Sequence, residues 1–384
     1  MKAIINGRLV LEDRVLDGQA VLFENTISRI VPQEELPRDA QIIDAKGAWV
    51  CPGFFDLHIH GSGGCDTMDG TPEALMTISR TIARKGVTRF LPTSVTMPMA
   101  DTERVFTQIR ALLGTGEGAI IEGINMEGPF LSAAYRGAHD PESLRPADAA
   151  FVRRFADVIR LVTVAPEEPG GMEFVEEIAR NTPVKVSIGH SAATYEQAME
   201  AIARGATQVT HLFNAMSPLH HRKPGVVTAA LQSDVYTELI CDGIHVHPAL
   251  FSFVCQNKTD RESGLCDRLV LITDCMRAGA MPPGQYTLGE LRVVVDGTSA
   301  RLADGTLAGS ILSLDRAVAN FARYTGCPLW QAVRCASLNP ARALGMEERL
   351  GSIAPGKEAD FALLDSELRV VRTIVSGRTV YEAE

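Results

Sequence analysis

Pro52-Gly53-Phe54-Phe55-Asp56-Leu57-His58-Ile59-His60 is where the rhythm of the chain changes. Upstream, residues 1–50 alternate short β-rich runs (Ala3–Ile5, Ala20–Phe23, Ile27–Val31, Gln41–Ile43, Ala48–Val50) with turn signals such as Asn6-Gly7 and Lys46-Gly47, the pattern of a small sheet. From Phe54 onward, β-branched runs are each followed by a helical pattern, the signature of βα units on a parallel sheet.

Counting those units predicts strands at 54–59, 87–92, 119–126, 159–165, 184–189, 207–212, 236–241 and 268–273. Eight units make an α/β fold, a (β/α)8 TIM-like barrel. The helices carry their own punctuation. Thr71-Pro72-Glu73 offers an N-cap, a proline at the first helical position and a first-turn acid, and Gly86 follows as a stop. The same logic puts a helix between Thr194 and Arg204, closed by Gly205. Residues 276–309 read as extra short β-like runs, with helices then at about 313–325 and 328–337. The tail returns to strands (Asp360–Leu364, Val370–Val375, Arg378–Tyr381). The expected organisation is therefore a small β-sandwich domain built by both chain termini, 1–52 and 345–384, around a 53–344 barrel; two separate small sheets are the alternative.

The mouth of such a barrel is built from strand C-terminal ends, where this fold keeps its active sites. His58 and His60 close strand one, Glu127 strand three, His190 strand five, His211 strand six and Asp274 strand eight. Alternate residues of a strand face one side, so both imidazoles of His58-x-His60 reach one point. A lone His-x-His is as readily structural. Four of the nine histidines at matching strand ends, with a Glu and an Asp beside them, are hard to attribute to packing. Imidazole and carboxylate ligands suit Zn²⁺ and also accept Fe²⁺, Co²⁺ or Mn²⁺. A divalent metal, one or two ions per chain, is expected, with Glu127 able to bridge a pair and Asp274 left for proton transfer.

Bulk properties fit a soluble, compact enzyme. The 384 residues are 46% hydrophobic and 22% charged. A net charge of −10 disfavours nucleic acid and anionic membranes as partners. No apolar run reaches the roughly 20 residues of a membrane span, and the N-terminus lacks the apolar core of a signal peptide. Eight scattered cysteines without a Cys-x-x-Cys pair read as buried thiols in a reducing compartment, so the cytoplasm is expected.

With these residues placed, the chain resembles the amidohydrolase superfamily and, within it, the N-acetylglucosamine-6-phosphate deacetylase family. The resemblance runs nearly end to end, through Pro52–Gly61, Glu127-Gly128-Pro129-Phe130, Gly189-His190-Ser191, Thr210-His211-Leu212-Phe213-Asn214-Ala215-Met216, Asp242-Gly243-Ile244-His245, Thr273-Asp274 and Gly356-Lys357-Glu358-Ala359-Asp360. It implies hydrolysis of a 2-acetamido sugar 6-phosphate to acetate and the amino sugar phosphate, with Asp274 as base and then acid. It implies substrate contacts from Ala138, His139, Asn214, Ala215, Arg222, His245, Leu307, Ala308 and Gly309, with His139 polarising the carbonyl. Arg222 sits in the basic run His220–Lys223 of the loop after strand six, where its fork suits phosphate. In the family this arginine can reach a neighbouring site, so the resemblance implies a homodimer. The run Met276–Ala280 departs from the family pattern, and Cys65 reads as a bystander thiol. The galacto epimer is an alternative substrate. A cyclic amide hydrolase is disfavoured because no lysine ends strand four, and a silent barrel because every ligand and the carboxylate are present.

Overall fold

The computed structural model describes residues 1–383. Among them, eight parallel strands form the centre: Phe54–Ile59, Val87–Pro92, Ile120–Ile121 with Ile124–Met126, Ile159–Val164, Lys185–Ile188, Ala206–Val209, Tyr236–Ile240 and Leu269–Ile272. The third is split because Gly123 takes φ +152°, a conformation that glycine reaches without strain and that interrupts the ladder. Most of their residues are buried, which is why they read as continuous apolar runs.

The order around the centre follows the chain, in the manner of a TIM-like barrel. The ladders form two parallel sheets, one of the first three strand pieces and one running from Ile124–Met126 to Leu269–Ile272. Isolated parallel bridges Thr93↔Asn125 and Ile59↔Cys275 join their edges. At the same seams Asn125 Nδ2 donates to the Leu57 carbonyl (2.9 Å) and the Asp274 N–H to the His58 carbonyl (2.9 Å).

Helices pack outside, where sequence caps fix their starts. Thr71 accepts the Ala74 N–H at the head of Pro72–Ala83, and Thr194 forms a capping box with Gln197 ahead of Tyr195–Ala203. Residues 284–301 hold a three-stranded antiparallel sheet, and the helices that follow are Leu314–Thr325, Leu329–Ala336 and Leu338–Ala343, the last unanticipated. Among the described residues no helix is long and apolar enough to cross a membrane.

The chain ends meet in one six-stranded sheet. Phe361–Leu364 pairs with Trp49–Pro52, with Phe361 opposite Pro52 and Leu364 opposite Trp49. The N-terminal strands Arg8–Val10 and Val15–Leu16, too short to stand out in the sequence, complete its far edge. A second, four-stranded sheet comes from the N-terminal segment alone. The two sheets share one apolar core in which Ile4, Val21 and Phe23 of the smaller meet Leu9, Val50, Phe361 and Ile374 of the larger. Arg89, from the second central strand and 3% exposed, reaches into the returning tail. Its guanidinium bonds Asp360 (2.7 and 3.1 Å), Glu358 (2.5 Å), Ser376 (2.9 Å) and Glu122 (2.9 Å). The buried cation therefore has a partner for each face of its fork.

Candidate metal centre

At the C-terminal ends of the central strands, five imidazole and carboxylate residues converge on Glu127. Its Oε1 lies 3.0 Å from His190 Nε2 and 2.9 Å from His211 Nε2. Its Oε2 lies 3.1 Å from His60 Nε2 and 3.3 Å from His58 Nε2. Asp274 Oδ1 joins from the last strand, 3.1 Å from His60 Nε2 and 3.5 Å from His58 Nε2. All six residues are buried. His190, His211 and Asp274 have φ of 49°, 27° and 49°, sparsely populated backbone for residues with a Cβ. Each lies just past a strand end, where the left-handed turn carries the chain out of the ladder.

The donors fall into two groups that share Glu127: His58, His60, Glu127 and Glu127, His190, His211. The outer ring nitrogens test whether these suit a cation. His58 Nδ1 lies 3.1 Å from Glu238 Oε2, His60 Nδ1 3.3 Å from the Thr93 carbonyl and His190 Nδ1 2.9 Å from the Tyr135 carbonyl. Those partners only accept, so in the neutral ring the proton sits on Nδ1 and the Nε2 lone pair faces inward, the tautomer a metal requires. In the neutral rings the lone pairs of His58 and His60 then face each other at 3.4 Å, and that of His190 faces His211 Nε2 at 3.0 Å, the outer Nδ1 of His211 having no partner. A divalent cation turns that repulsion into ligation, and the donor set fits one.

The charges are strongly coupled. Burial pushes the Asp274 carboxyl up, but the hydrogen bond from His60 and the charges of His58 and His60 outweigh it and bring it to about 2. Burial pushes His60 down, and the carboxylates of Asp274 and Glu127 reverse this to about 9. For His190 burial prevails, assisted by His139 and His211, and holds it at about 4. Glu127 stays well below the usual carboxylate range despite its burial, because imidazoles surround it.

A cavity of about 500 Å3 opens over the two groups, lined by His60, Glu127, His190, His211 and Asp274. Of the residues singled out for substrate, Ala138, His139, Asn214, Ala215, His245, Leu307 and Gly309 also line it. His139 accepts the Thr96 N–H at Nδ1 (3.1 Å), which puts its proton on Nε2, 3.6 Å from Glu127 Oε2. His245 donates from Nδ1 to Asp242 Oδ2 (2.6 Å). Ala308 is fully buried and does not reach the cavity, its N–H being spent on the Ala300 carbonyl (3.0 Å). Arg222 lies outside too. It is exposed, stands 2.8 Å from His221 Nε2 and borders an adjoining cavity of about 800 Å3. Cys65 belongs to neither donor group.

Several residues escaped the sequence reading. Tyr135, Arg301 and Thr306 line the cavity from a single 3-10 turn, a two-residue strand and a loop, too short for any periodicity to mark them. Thr96 meets His139 Nδ1 through its backbone N–H, which any residue but proline carries, and through its hydroxyl at 2.8 Å. Glu238 left one signal, a lone acid inside the apolar run Val235–Cys241.

The amidohydrolase family model matches residues 49–380. The chain is 39% identical over 383 residues to the N-acetylgalactosamine-6-phosphate deacetylase of Escherichia coli O157:H7, covering 97% of each. It is 36% identical to the N-acetylglucosamine-6-phosphate deacetylase of Vibrio furnissii, covering 99% of this chain and 94% of that protein. The crystal structure of N-acetylglucosamine-6-phosphate deacetylase from Pasteurella multocida is similar over 100% of both chains, with 32% identity and a TM-score of 0.94.

Proposed function

The chain belongs to the amidohydrolase family, and from that premise we infer that it hydrolyses the acetamide of N-acetyl-D-glucosamine 6-phosphate, releasing acetate and D-glucosamine 6-phosphate. The observation that carries this is the gathering of four imidazoles and Asp274 around Glu127 beneath a cavity of about 500 Å3, in a chain similar over its whole length to deacetylases of this type.

His58, His60, Glu127, His190 and His211 would hold the metal. Zn²⁺ suits these ligands best, and Fe²⁺, Co²⁺ or Mn²⁺ are alternatives, one or two ions per subunit. A bound cation supplies Lewis-acid polarisation of the carbonyl and lowers the pKa of a water toward about 7. Asp274, ionised and at the cavity floor, takes the proton of the attacking water and delivers it to the departing amine. His139 offers an Nε2–H to the carbonyl oxygen as charge grows there, with the ring held in that tautomer by Thr96. Asn214 and Ala215 hold the sugar, His245 faces the phosphate, and Leu307 and Gly309 wall the pocket.

Arg222 borders an adjoining cavity of its own chain, which supports a role across a dimer interface, with its guanidinium closing on the phosphate of the partner's substrate. The two parallel sheets are read as one closed (β/α)8 barrel spanning 53–344, supported by the bridges at both seams, with 1–52 and 345–384 as the companion sandwich. The eight unpaired thiols support a cytoplasmic protein. A second reading, the galacto epimer, is favoured by the 39% identity to a galactosamine deacetylase. Acetate release from the two epimers tests the assignment.

A further inference from the structure

Glu238 is fully buried in the Tyr236–Ile240 strand, between Thr237 and Leu239, and it is not one of the residues that face the cavity. An aliphatic side chain would serve the strand's packing without the penalty of a buried charge. What the carboxylate does instead is hold two parts of the site. Its Oε2 lies 3.1 Å from His58 Nδ1 and accepts the His211 N–H at 3.2 Å, and its own carbonyl accepts the Leu212 N–H at 2.9 Å. Its Oε1 has no protein partner.

The other two histidines with a partnered outer nitrogen use main-chain carbonyls, of Thr93 for His60 and of Tyr135 for His190, which survive any substitution. For His58 the corresponding partner is a side chain. A carboxylate can only accept, so it fixes the proton on Nδ1. The ring then stands with Nε2 aimed at Glu127 Oε2 (3.3 Å) and His60 Nε2 (3.4 Å).

We propose that Glu238 is a positioning residue for the cation group of His58, His60 and Glu127, holding His58 in the tautomer and orientation that present its Nε2 lone pair to the metal. The proposal rests on the reading of that group as a metal site. It makes the group depend on one buried carboxylate from the seventh central strand, which pairs with neither the strand of His58 and His60 nor that of Glu127, while the group of Glu127, His190 and His211 keeps its side-chain donors without it.

The test is titration of metal-stripped protein with Co²⁺, following the visible d–d spectrum and the bound metal per chain, in wild type, Glu238→Leu and Glu238→Gln. Glu238→Leu removes both acceptors and is expected to weaken one equivalent of Co²⁺ by about 10–100-fold and change its spectrum. Glu238→Gln keeps an acceptor oxygen for both N–H groups and is expected to restore most of the affinity and the wild-type spectrum. A Glu238→Leu chain that binds Co²⁺ as wild type does overturns the proposal. So does a Glu238→Gln chain that loses as much as Glu238→Leu. Wild type that takes up no Co²⁺ overturns the metal reading and the proposal with it. None of these readouts involves a sugar, so they stand apart from the deacetylase assignment.

Discussion

Asp274 Oδ1 lies 3.1 Å from His60 Nε2 and 3.5 Å from His58 Nε2, so the last central strand delivers a carboxylate to the His-x-His pair of the first. The carboxylate is held ionised, at about 2, and it lines the cavity. It is placed to accept a proton there, and because each donor group counts three side chains without it, it is expected to contribute little to metal retention.

Asp274→Asn is therefore expected to keep its metal and lose turnover by about 10²–10⁴-fold, the usual contribution of a general acid–base group. Metal content and kcat measured on one sample check this. A variant with wild-type kcat removes the acid–base role.

Arg222→Ala is expected to raise KM for the phosphorylated sugar with little change in kcat, because a phosphate contact is felt in ground and transition states alike. On the homodimer proposed above, in which Arg222 borders a different cavity of its own chain and serves the partner's site, mixing inactive Asp274→Asn subunits with Arg222→Ala subunits should restore a low KM in the heterodimers. Unchanged KM in the single variant takes Arg222 out of the pocket, and no recovery on mixing takes it out of the partner's site.

Metal loading should weaken in acid. In the metal-free chain His60 titrates near 9, because the carboxylates of Asp274 and Glu127 outweigh its burial. Below that pH the ring carries a proton that the cation must displace, so binding releases protons and apparent affinity falls as pH falls. Calorimetry in buffers of different ionisation enthalpy measures the release. Affinity independent of pH between about 6 and 9 would contradict the ligand assignment.

Arg89→Met should leave the site chemistry in place and destabilise the fold by about 3–5 kcal/mol, the range for removing one partner of a buried charge network. Asp360 and Glu358 would be left facing each other without the guanidinium that joins the second central strand to the tail. The midpoint of denaturant unfolding reads this directly, and a midpoint within error of wild type would contradict it.

The strand ends were legible because strand geometry projects directly onto sequence: His58 and His60 are two residues apart, and the fully buried strands read as unbroken apolar runs. The pairing of the termini was legible as an expectation, through the return of alternation after Asp360. Gly123 was not recognised as a break, since glycine inside an apolar run is silent about its φ. Arg8–Val10 and Val15–Leu16 are too short for a pattern to emerge. The cavity walls resisted for a different reason. Tyr135 acts through its main-chain carbonyl and Thr96 in part through its N–H, and Arg301 and Glu238 meet the site only through pairings far apart in sequence. Ala308 and Arg222 show the converse. Their neighbours in sequence face the cavity or its loop, but Ala308 turns inward and Arg222 outward.

The most direct test of the account is acetate release from N-acetylglucosamine 6-phosphate by metal-loaded protein, beside the galacto epimer and the unphosphorylated sugar. The account predicts fast release from the phosphorylated gluco substrate, slower release without the phosphate, and loss of activity on chelation that returns with Zn²⁺ or Co²⁺. Metal-loaded protein that releases no acetate from either phosphorylated epimer would contradict it.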